Sequence, residues 1–539
     1  MRRKGRLLMV GLMVLALVFV AGALSAKEVE NRLAYNEYPV ILMDPALTCD
    51  FMDAAVFFNL YDGLTYPTPD GSYRPHLAES WTASPDAKTW TFKLRQGVKF
   101  HDGKEMTADD VVFSMKRMLA IGQGYSGFYV GLKDVKATGP LEVVFELEKP
   151  FATFPATLAL LGVLNKDLVM QHAKKEGKYG EMGDYGMEWL ANNDAGTGPY
   201  KTVEKKTNEY LMVERFKDYW AGWPEWGPDL VPIEKGLFRE MWEAATVKTL
   251  MVNRDHDITD WYQSDEFYKS LDEVPGIKVV EYRVGSLYTM WINTTKPPTD
   301  DVHFRKAICY AFDYDAVAAA VRGGKPIKGV LPSFIKGANP NAFHYTHDLE
   351  KAKAELAKSK YKPDQYEVEL YGTQGVATFE KMALQLQANL AEIGIKLNVN
   401  MVPWSRMAES VAKPDSTANL SVFMFNANYP DLDHNFNFFY NPANTGGVYA
   451  AHWMKNEEFG QLLDEARSKL DENERIAVYQ KLEEKIMDQA LAIYAVETPA
   501  VHAIQEYIAG PQETYPTIGP EMNLRNYRIN LTEKAKYVK

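Results

Sequence analysis

The chain has 539 residues, with 60 Lys and Arg against 72 Asp and Glu, a net charge of −12. Nucleic acid and anionic membrane surfaces are set aside as partners, because both repel a chain of this sign. Only two cysteines are present, and the chain is too long for one hydrophobic core, so two or three domains without a disulfide framework are expected.

Arg2, Arg3, Lys4 and Arg6 open the chain, an apolar run follows from Leu7 to Val20, and small residues come next at Ala21, Gly22, Ala23, Ser25 and Ala26. A basic start, an apolar middle and a small-residue site make residues 1–26 a secretory signal peptide, cleaved near Ala26. The run is short for a membrane span, which takes ~20 residues. No cysteine near the cleavage site offers a lipid attachment point, so a freely diffusing periplasmic protein is expected. Cys49 sits at a loop-like helix start and Cys309 in the helix-like run Arg305 to Phe312. They are expected not to pair.

From Leu77 to Met118 the pattern reads strand, turn and amphipathic helix. Trp90, Phe92 and Leu94 alternate with Thr91, Lys93 and Arg95, the signature of a half-buried strand. His101-Asp102-Gly103 supplies turn chemistry. Thr107, with Asp110 three residues on, reads as a helix N-cap with an acidic first turn. Val111, Val112, Met115, Met118 and Leu119 follow at helical spacing. Leu141, Val143, Phe145 and Leu147 predict another strand ending at Pro150. Gly196-Thr197-Gly198-Pro199-Tyr200 leads into a hairpin that turns at Lys205–Glu209.

Farther on, Tyr366–Tyr371 reads as a strand and Thr378–Ile393 as a helix ended by Gly394. Ile395, Leu397, Val399 and Met401 then alternate as a strand, and Leu420–Phe425 is the next. A strand–helix–strand unit pairs in parallel through a right-handed crossover. Ligands in such sheets bind beyond the carboxyl ends of the strands. Those ends are Gly372–Gly375, Pro403-Trp404-Ser405-Arg406 and Asn426–Asp433. Trp404 and Arg406 offer a stacking face and a bidentate donor there. Phe425, Asn426, Asn428 and Tyr429 offer aromatic faces and amides, with core packing and turn formation as their alternative roles.

Three blocks resemble one family. They are Leu77-Ala78-Glu79-Ser80-Trp81 through Val111; Gly196 through Gly222, closing on Phe216-Lys217-Asp218-Tyr219-Trp220; and Trp291 through Val317, with Asn293, Pro297-Pro298, Asp301, Arg305, Ala307, Ala311 and Asp313. The family is the extracellular solute-binding proteins of the peptide/nickel type, family 5, which serve ABC importers. The resemblance implies an α/β fold of the periplasmic binding protein-like type II class, two lobes joined by a hinge, with an extra small domain on lobe 1. Lobe 1 would comprise 27–60, 186–285 and 497–539, the extra domain 61–185, and lobe 2 286–496. The hinge crossovers would lie near Tyr282–Tyr288 and Tyr494–Thr498.

The implied role is ligand-driven closure and delivery to ABC permease subunits by a monomer that is no enzyme and carries no cofactor. Tyr35, Asn36 and Glu37 are candidate contacts from lobe 1, with Trp261 and Tyr262 after Asp257-Ile258. Peptide-binding relatives carry an acid for the peptide's α-ammonium where this chain has Asn428. The anchor is then expected at Asp431, Asp433 or Glu37, or the solute lacks an ammonium group. Peptide is the expected solute class, and oligosaccharide or another non-peptide ligand the alternative. A secreted hydrolase, a chaperone and a sensor stay open as rivals.

Other motifs point away from special chemistry. Gly122-Gln123-Gly124-Tyr125-Ser126-Gly127 matches a dinucleotide fingerprint but follows a helix, so it reads as a flexible helix-ending loop, one that can still face the cleft. His344 and His347 have metal-like spacing, and His434 and His452 lie in polar loops. Without a third ligand they read as solvent-exposed, and no metal site is expected. Trp220 is expected in the core, while Trp223 and Trp226 have no assigned role.

Overall fold

The computed structural model describes residues 29–37, 41–48, 54–68, 71–429, 431–510 and 522–538. The expected leader, its cleavage site and Cys49 lie outside the described residues. The strand Arg32–Glu37 opens the described chain, and the next sheet follows the alternation in the sequence. Thr89–Leu94 buries Trp90, Phe92 and Leu94 and exposes Lys93. It pairs antiparallel with Ala78–Ala83 and Glu142–Leu147, and Leu132–Gly139 completes four strands.

The helix Ala108–Ile121 starts on a capping box. The Thr107 backbone N–H donates to Asp110 Oδ2 at 2.9 Å, and Gly122 ends the helix at φ 67°. The glycine-rich stretch that follows is a tight 3₁₀ turn, Gly124–Tyr129, instead of an open loop. Its order has a packing cause: Tyr125, Phe128 and Tyr129 are buried.

The chain then forms the hairpin Tyr200–Lys206 and Tyr210–Arg215, which pairs with Lys235–Glu240. That strand lies parallel to Arg32–Glu37 in the order Arg32–Glu37, Lys235–Glu240, Tyr210–Arg215, Tyr200–Lys206. The tryptophans without an assigned role pack beside this sheet. Trp223 donates to the Phe216 carbonyl and lies under Arg215, while Trp226 lies under Arg528.

Two long antiparallel strands, Ile277–Ile292 and Ala492–Gln505, run from the first half of the molecule into the second. Their ladder is irregular between Tyr282 and Ser286, opposite Ala500 and Thr498. Pro499 stands at that break and has no N–H to donate. Beyond it, the sheet continues in the order Lys325–Pro326, Ala492–Gln505, Ile277–Ile292, Leu420–Phe425, Val368–Thr373, Leu397–Val402. The last three strands are parallel, with the helix Ala377–Glu392 crossing between two of them and Gly394 at φ 80° just after it.

Burial divides along the same line. One core cluster draws only on residues between Leu287 and Val496. The larger one gathers Leu33 to Phe238 with Val280, Tyr282 and Ala500 to Ile529, so the four-stranded Ala78–Leu147 sheet shares the core of the first half. Tyr429 is the lone buried residue of the second half in that cluster.

Some expectations need correction. His434 and His452 are buried, not exposed to solvent. His434 lies in the helix Leu432–Tyr440, whose polar residues Asp433, Asn435 and Asn437 are also buried. His452 is held between the Phe439 carbonyl, 2.6 Å from Nε2, and the Met454 N–H, which donates to Nδ1 at 2.9 Å. Burial pushes both imidazoles down to about 4. Trp404 is the first residue of a helix, Trp404–Ser410. Cys309 is buried, as its helix pattern implies, with its thiol pushed up to about 12 by burial.

Candidate functional site

Parallel pairing sends the carboxyl ends of Val368–Thr373, Leu397–Val402 and Leu420–Phe425 to one edge of the second lobe. The ends of Arg32–Glu37 and Lys235–Glu240 likewise share one edge of the first. The segment after Ile258 joins that first edge, since Ile258 bridges to Tyr35. The two edges approach each other near the hinge, where Lys381 Nζ lies 3.6 Å from Asp265 Oδ2.

On the second lobe, Trp404 is 48% exposed, and its ring partner among the described residues is Phe423, edge to face at 6.4 Å. Asn428 is half-buried, and its amide makes no hydrogen bond among the described residues. Asn426 accepts from Ser286 Oγ at 2.9 Å, which ties this loop to the hinge strand. Phe425 is buried against Trp291, Phe423, Phe439 and Tyr449, so its ring serves the core. Arg406 faces solvent and pairs with Glu409 one helical turn on, at 2.7 Å. The Phe425 ring is thus enclosed by its own core, while the exposed Arg406 guanidinium is held along a short helix.

Tyr429 is buried in a contact between lobes. Its hydroxyl donates to Asp433 Oδ2 at 2.7 Å, and its ring meets Phe128 of the extra domain at 5.2 Å. Phe128 also packs on Phe438 at 4.8 Å. Asp433 is engaged twice more, by Arg467 at 2.6 and 2.7 Å and by the Tyr479 hydroxyl at 2.9 Å. Burial would raise its carboxyl, but Arg467 and these donors hold it below the usual range. Asp431 caps the helix Leu432–Tyr440 and faces Arg475 at 4.0 Å, with burial pushing it up to about 6.

On the first lobe, Tyr35 is buried with its ring on Phe238 at 6.2 Å. Asn36 is also buried, and its side chain is locked to Asp260: Nδ2 donates to the carboxylate and Oδ1 accepts the Asp260 N–H at 3.0 Å. Glu37 ends its strand opposite Glu240, and its side chain lies outside the described residues. Trp261 is half-buried against Tyr262, whose ring is 37% exposed.

Sequence reasoning missed Asp260 and Phe128. Asp260 stands between two chosen features, Asp257-Ile258 and Trp261-Tyr262. Phe128 follows the glycine-rich stretch that was noted as able to face the cleft. Among the described residues, no three His, Cys, Asp or Glu side chains gather as a metal site, and no helix is long and apolar enough to cross a membrane.

The profile of the bacterial extracellular solute-binding proteins, family 5 (middle region), matches residues 72–447. The chain belongs to this family. Among curated relatives, family 5 likeness extends to a probable D,D-dipeptide-binding periplasmic protein of Escherichia coli, 28% identical over 479 residues, covering 87% of this chain and 88% of that one. A heme-binding protein A of Haemophilus influenzae is 28% identical over 457 residues, covering 80% and 79%. Among solved structures, the Helicobacter pylori periplasmic binding protein in complex with the peptide STSA superposes with a TM-score of 0.76 at 23% identity, covering 93% of this chain and 98% of that one. A Campylobacter jejuni protein in complex with Ni(L-His) gives a TM-score of 0.78 at 19% identity, covering 93% and 99%.

The fold is that of the type II periplasmic binding proteins, two lobes on a hinge with an extra small domain. These family 5 relatives are named as binding proteins.

Proposed function

We propose that this chain is the periplasmic substrate-binding component of an ABC importer, capturing a peptide-like solute by cleft closure and handing it to a membrane permease. One observation carries the reading. Each lobe gathers the carboxyl ends of parallel strands at one edge, the lobes approach at Asp265 and Lys381, and the long strand pair, broken at Pro499, joins the first sheet through the bridges of Ile258 to Tyr35 and Ile504. A solute that touches both edges favours the closed form by its differential affinity. The dipeptide- and peptide-binding relatives support peptide as the first solute class.

In this reading, lobe 1 comprises 27–60, 186–285 and 497–539, the extra domain 61–185 and lobe 2 286–496; the separate core of Leu287 to Val496 supports the lobe 2 boundary, while the extra domain shares its core with lobe 1. The protein acts as a monomer without catalysis, after removal of residues 1–26. Trp261, Tyr262, Trp404 and Asn428 are its proposed solute contacts.

Mass spectrometry of solute released from purified protein tests the proposal. A thermal-shift panel of peptides and oligosaccharides should follow, since a ligand at about 100 times its Kd adds roughly 2.7 kcal/mol. Stabilisation by peptides is the expected result. Turnover of any panel member would replace the transport reading with a hydrolytic one. Oligosaccharide is the second reading. It is favoured by the unengaged Asn428 amide and the exposed Trp404 ring, which both follow parallel strands of lobe 2 and whose chemistry suits hydroxyls and sugar faces.

A further inference from the structure

Six aspartates are buried among the described residues: Asp44, Asp62, Asp110, Asp257, Asp260 and Asp433. Four of them face a lysine or arginine, and Asp62 faces His76, an imidazole whose pKa burial lowers. Arg117 holds Asp44 at 2.6 Å, His76 holds Asp62 at 2.7 Å, and Lys104 holds Asp110 at 3.1 Å. Lys534 lies 3.7 Å from Asp257, and Arg467 holds Asp433 at 2.6 Å. Asp260 is the exception. Its carboxylate accepts from the Asn36 amide, from Gln263 Nε2 at 2.9 Å and from the Tyr262 N–H at 2.8 Å, all neutral donors.

Its position gives that exception a meaning. Asp260 lies at the carboxyl end of the first lobe's parallel strands, tied to Asn36 and followed by Trp261 and Tyr262. Five residues on, Asp265 reaches Lys381 of the second lobe. The facing loop of the second lobe has no acid to spare, since Asp433 is engaged by Arg467 and Asp431 faces Arg475. A carboxylate taken out of water is stabilised when a cation joins it, and charge-assisted hydrogen bonds are the stronger kind. Three neutral donors orient Asp260 without neutralising it. Burial raises its carboxyl pKa, as expected of an acid lacking a counter-charge.

We propose that Asp260 receives the cationic nitrogen of the bound solute, a primary ammonium such as the α-ammonium of a peptide. The assignment rests on the solute-binding reading and sharpens it. It places charge recognition on lobe 1 and leaves lobe 2 to supply amide and aromatic contacts.

The test compares free and N-acetylated forms of Met-Leu, Ala-Ala, D-Ala-D-Ala and Ser-Thr-Ser-Ala, with putrescine and agmatine as non-peptide cations. Binding is read by calorimetry and thermal shift on the intact protein. The wild type should prefer a free amine over its acetylated form by about tenfold or more. Asp260→Asn should abolish that preference while keeping the circular dichroism spectrum, and Asp260→Glu should keep part of it. Should Asp260→Asn fail to fold, the wild-type ratio and Asp260→Glu still decide the matter.

Equal binding of free and acetylated peptides would overturn the role of Asp260 and leave the solute-binding reading standing. An undiminished preference in folded Asp260→Asn would do the same. Binding of putrescine or agmatine but no peptide, with loss in Asp260→Asn, would keep Asp260 and remove the peptide class. A wild type that responds to none of the cationic probes overturns the assignment and the peptide class together.

Discussion

The guanidinium of Arg467, on lobe 2, lies 4.4 Å from the centre of the Phe151 ring, on the extra domain. The same guanidinium grips Asp433 twice, and the Arg467 carbonyl accepts the Ala152 N–H at 2.7 Å. A lobe-2 ion pair is thus roofed by the extra domain, with Lys149 and Asp464 adding a second, exposed link at 2.7 Å. Removing the arginine leaves a buried carboxylate unpaired, which costs about 3–5 kcal/mol. Arg467→Ala should lose stability of that order in urea denaturation. The double variant Arg467→Met with Asp433→Asn should recover much of it, since no charge is then stranded.

Phe128 gives a subtler prediction. Its contacts with Tyr429 and Phe438 cross from the extra domain to lobe 2, so they contribute to the arrangement in which those bodies touch. Phe128→Ala should weaken solute affinity by about one to two orders of magnitude, equivalent to roughly 1.4–2.8 kcal/mol. Small-angle scattering should show a larger radius of gyration for the variant. A change in stability with unchanged affinity would mean that the ring serves only its own domain.

Much of this architecture is legible in the sequence, because period-two and 3.6-residue patterns report local burial directly. Thr89–Leu94, Ala108–Ile121, Ala377–Glu392 and Leu420–Phe425 fall within one or two residues of where the patterns place them. The segment Leu432–Tyr440 shows why other parts stay hidden. His434 reads as solvent-exposed and Asp433 as a candidate anchor, yet both are buried with Asn435 and Asn437, and Asp433 is satisfied by Arg467 and Tyr479, 34 and 46 residues away. The site is obscured for the same reason. Asn36 and Asp260 are 224 residues apart in sequence, so neither could be read as the other's partner.

For Asn428 the expectation concerns binding alone. Its amide is unengaged, so Asn428→Ala removes no internal hydrogen bond, and unliganded stability should stay within ~1 kcal/mol of wild type. Solute affinity measured by calorimetry should fall. Unchanged affinity would remove Asn428 from the site.

Glu483 carries a pH prediction. It is buried beside Val330, whose N–H donates to it at 2.9 Å, and burial pushes its carboxyl up to about 7. The folded state therefore binds a proton more tightly than the unfolded one. The stability this provides is fully present below the unfolded value near 4.5 and is lost as pH rises through about 7. Glu483→Gln should abolish that loss, so wild type should decline relative to the variant by about 1.4 kcal/mol per pH unit across the window. Parallel urea titrations at pH 4.5, 5.5, 6.5 and 7.5 check the slope.

The connection between the lobes is a paired ladder and not two separate tethers. Cross-strand hydrogen bonds on either side of the Pro499 break forbid one strand from sliding or stretching without the other. What remains is bending at one place, close to a single degree of freedom. In the proposed closure, an unliganded molecule would explore an arc and not a volume, and each return along it would bring the same two edges into register. Capture of solute would then forfeit little orientational entropy between the lobes, leaving more of the contact energy to show as affinity.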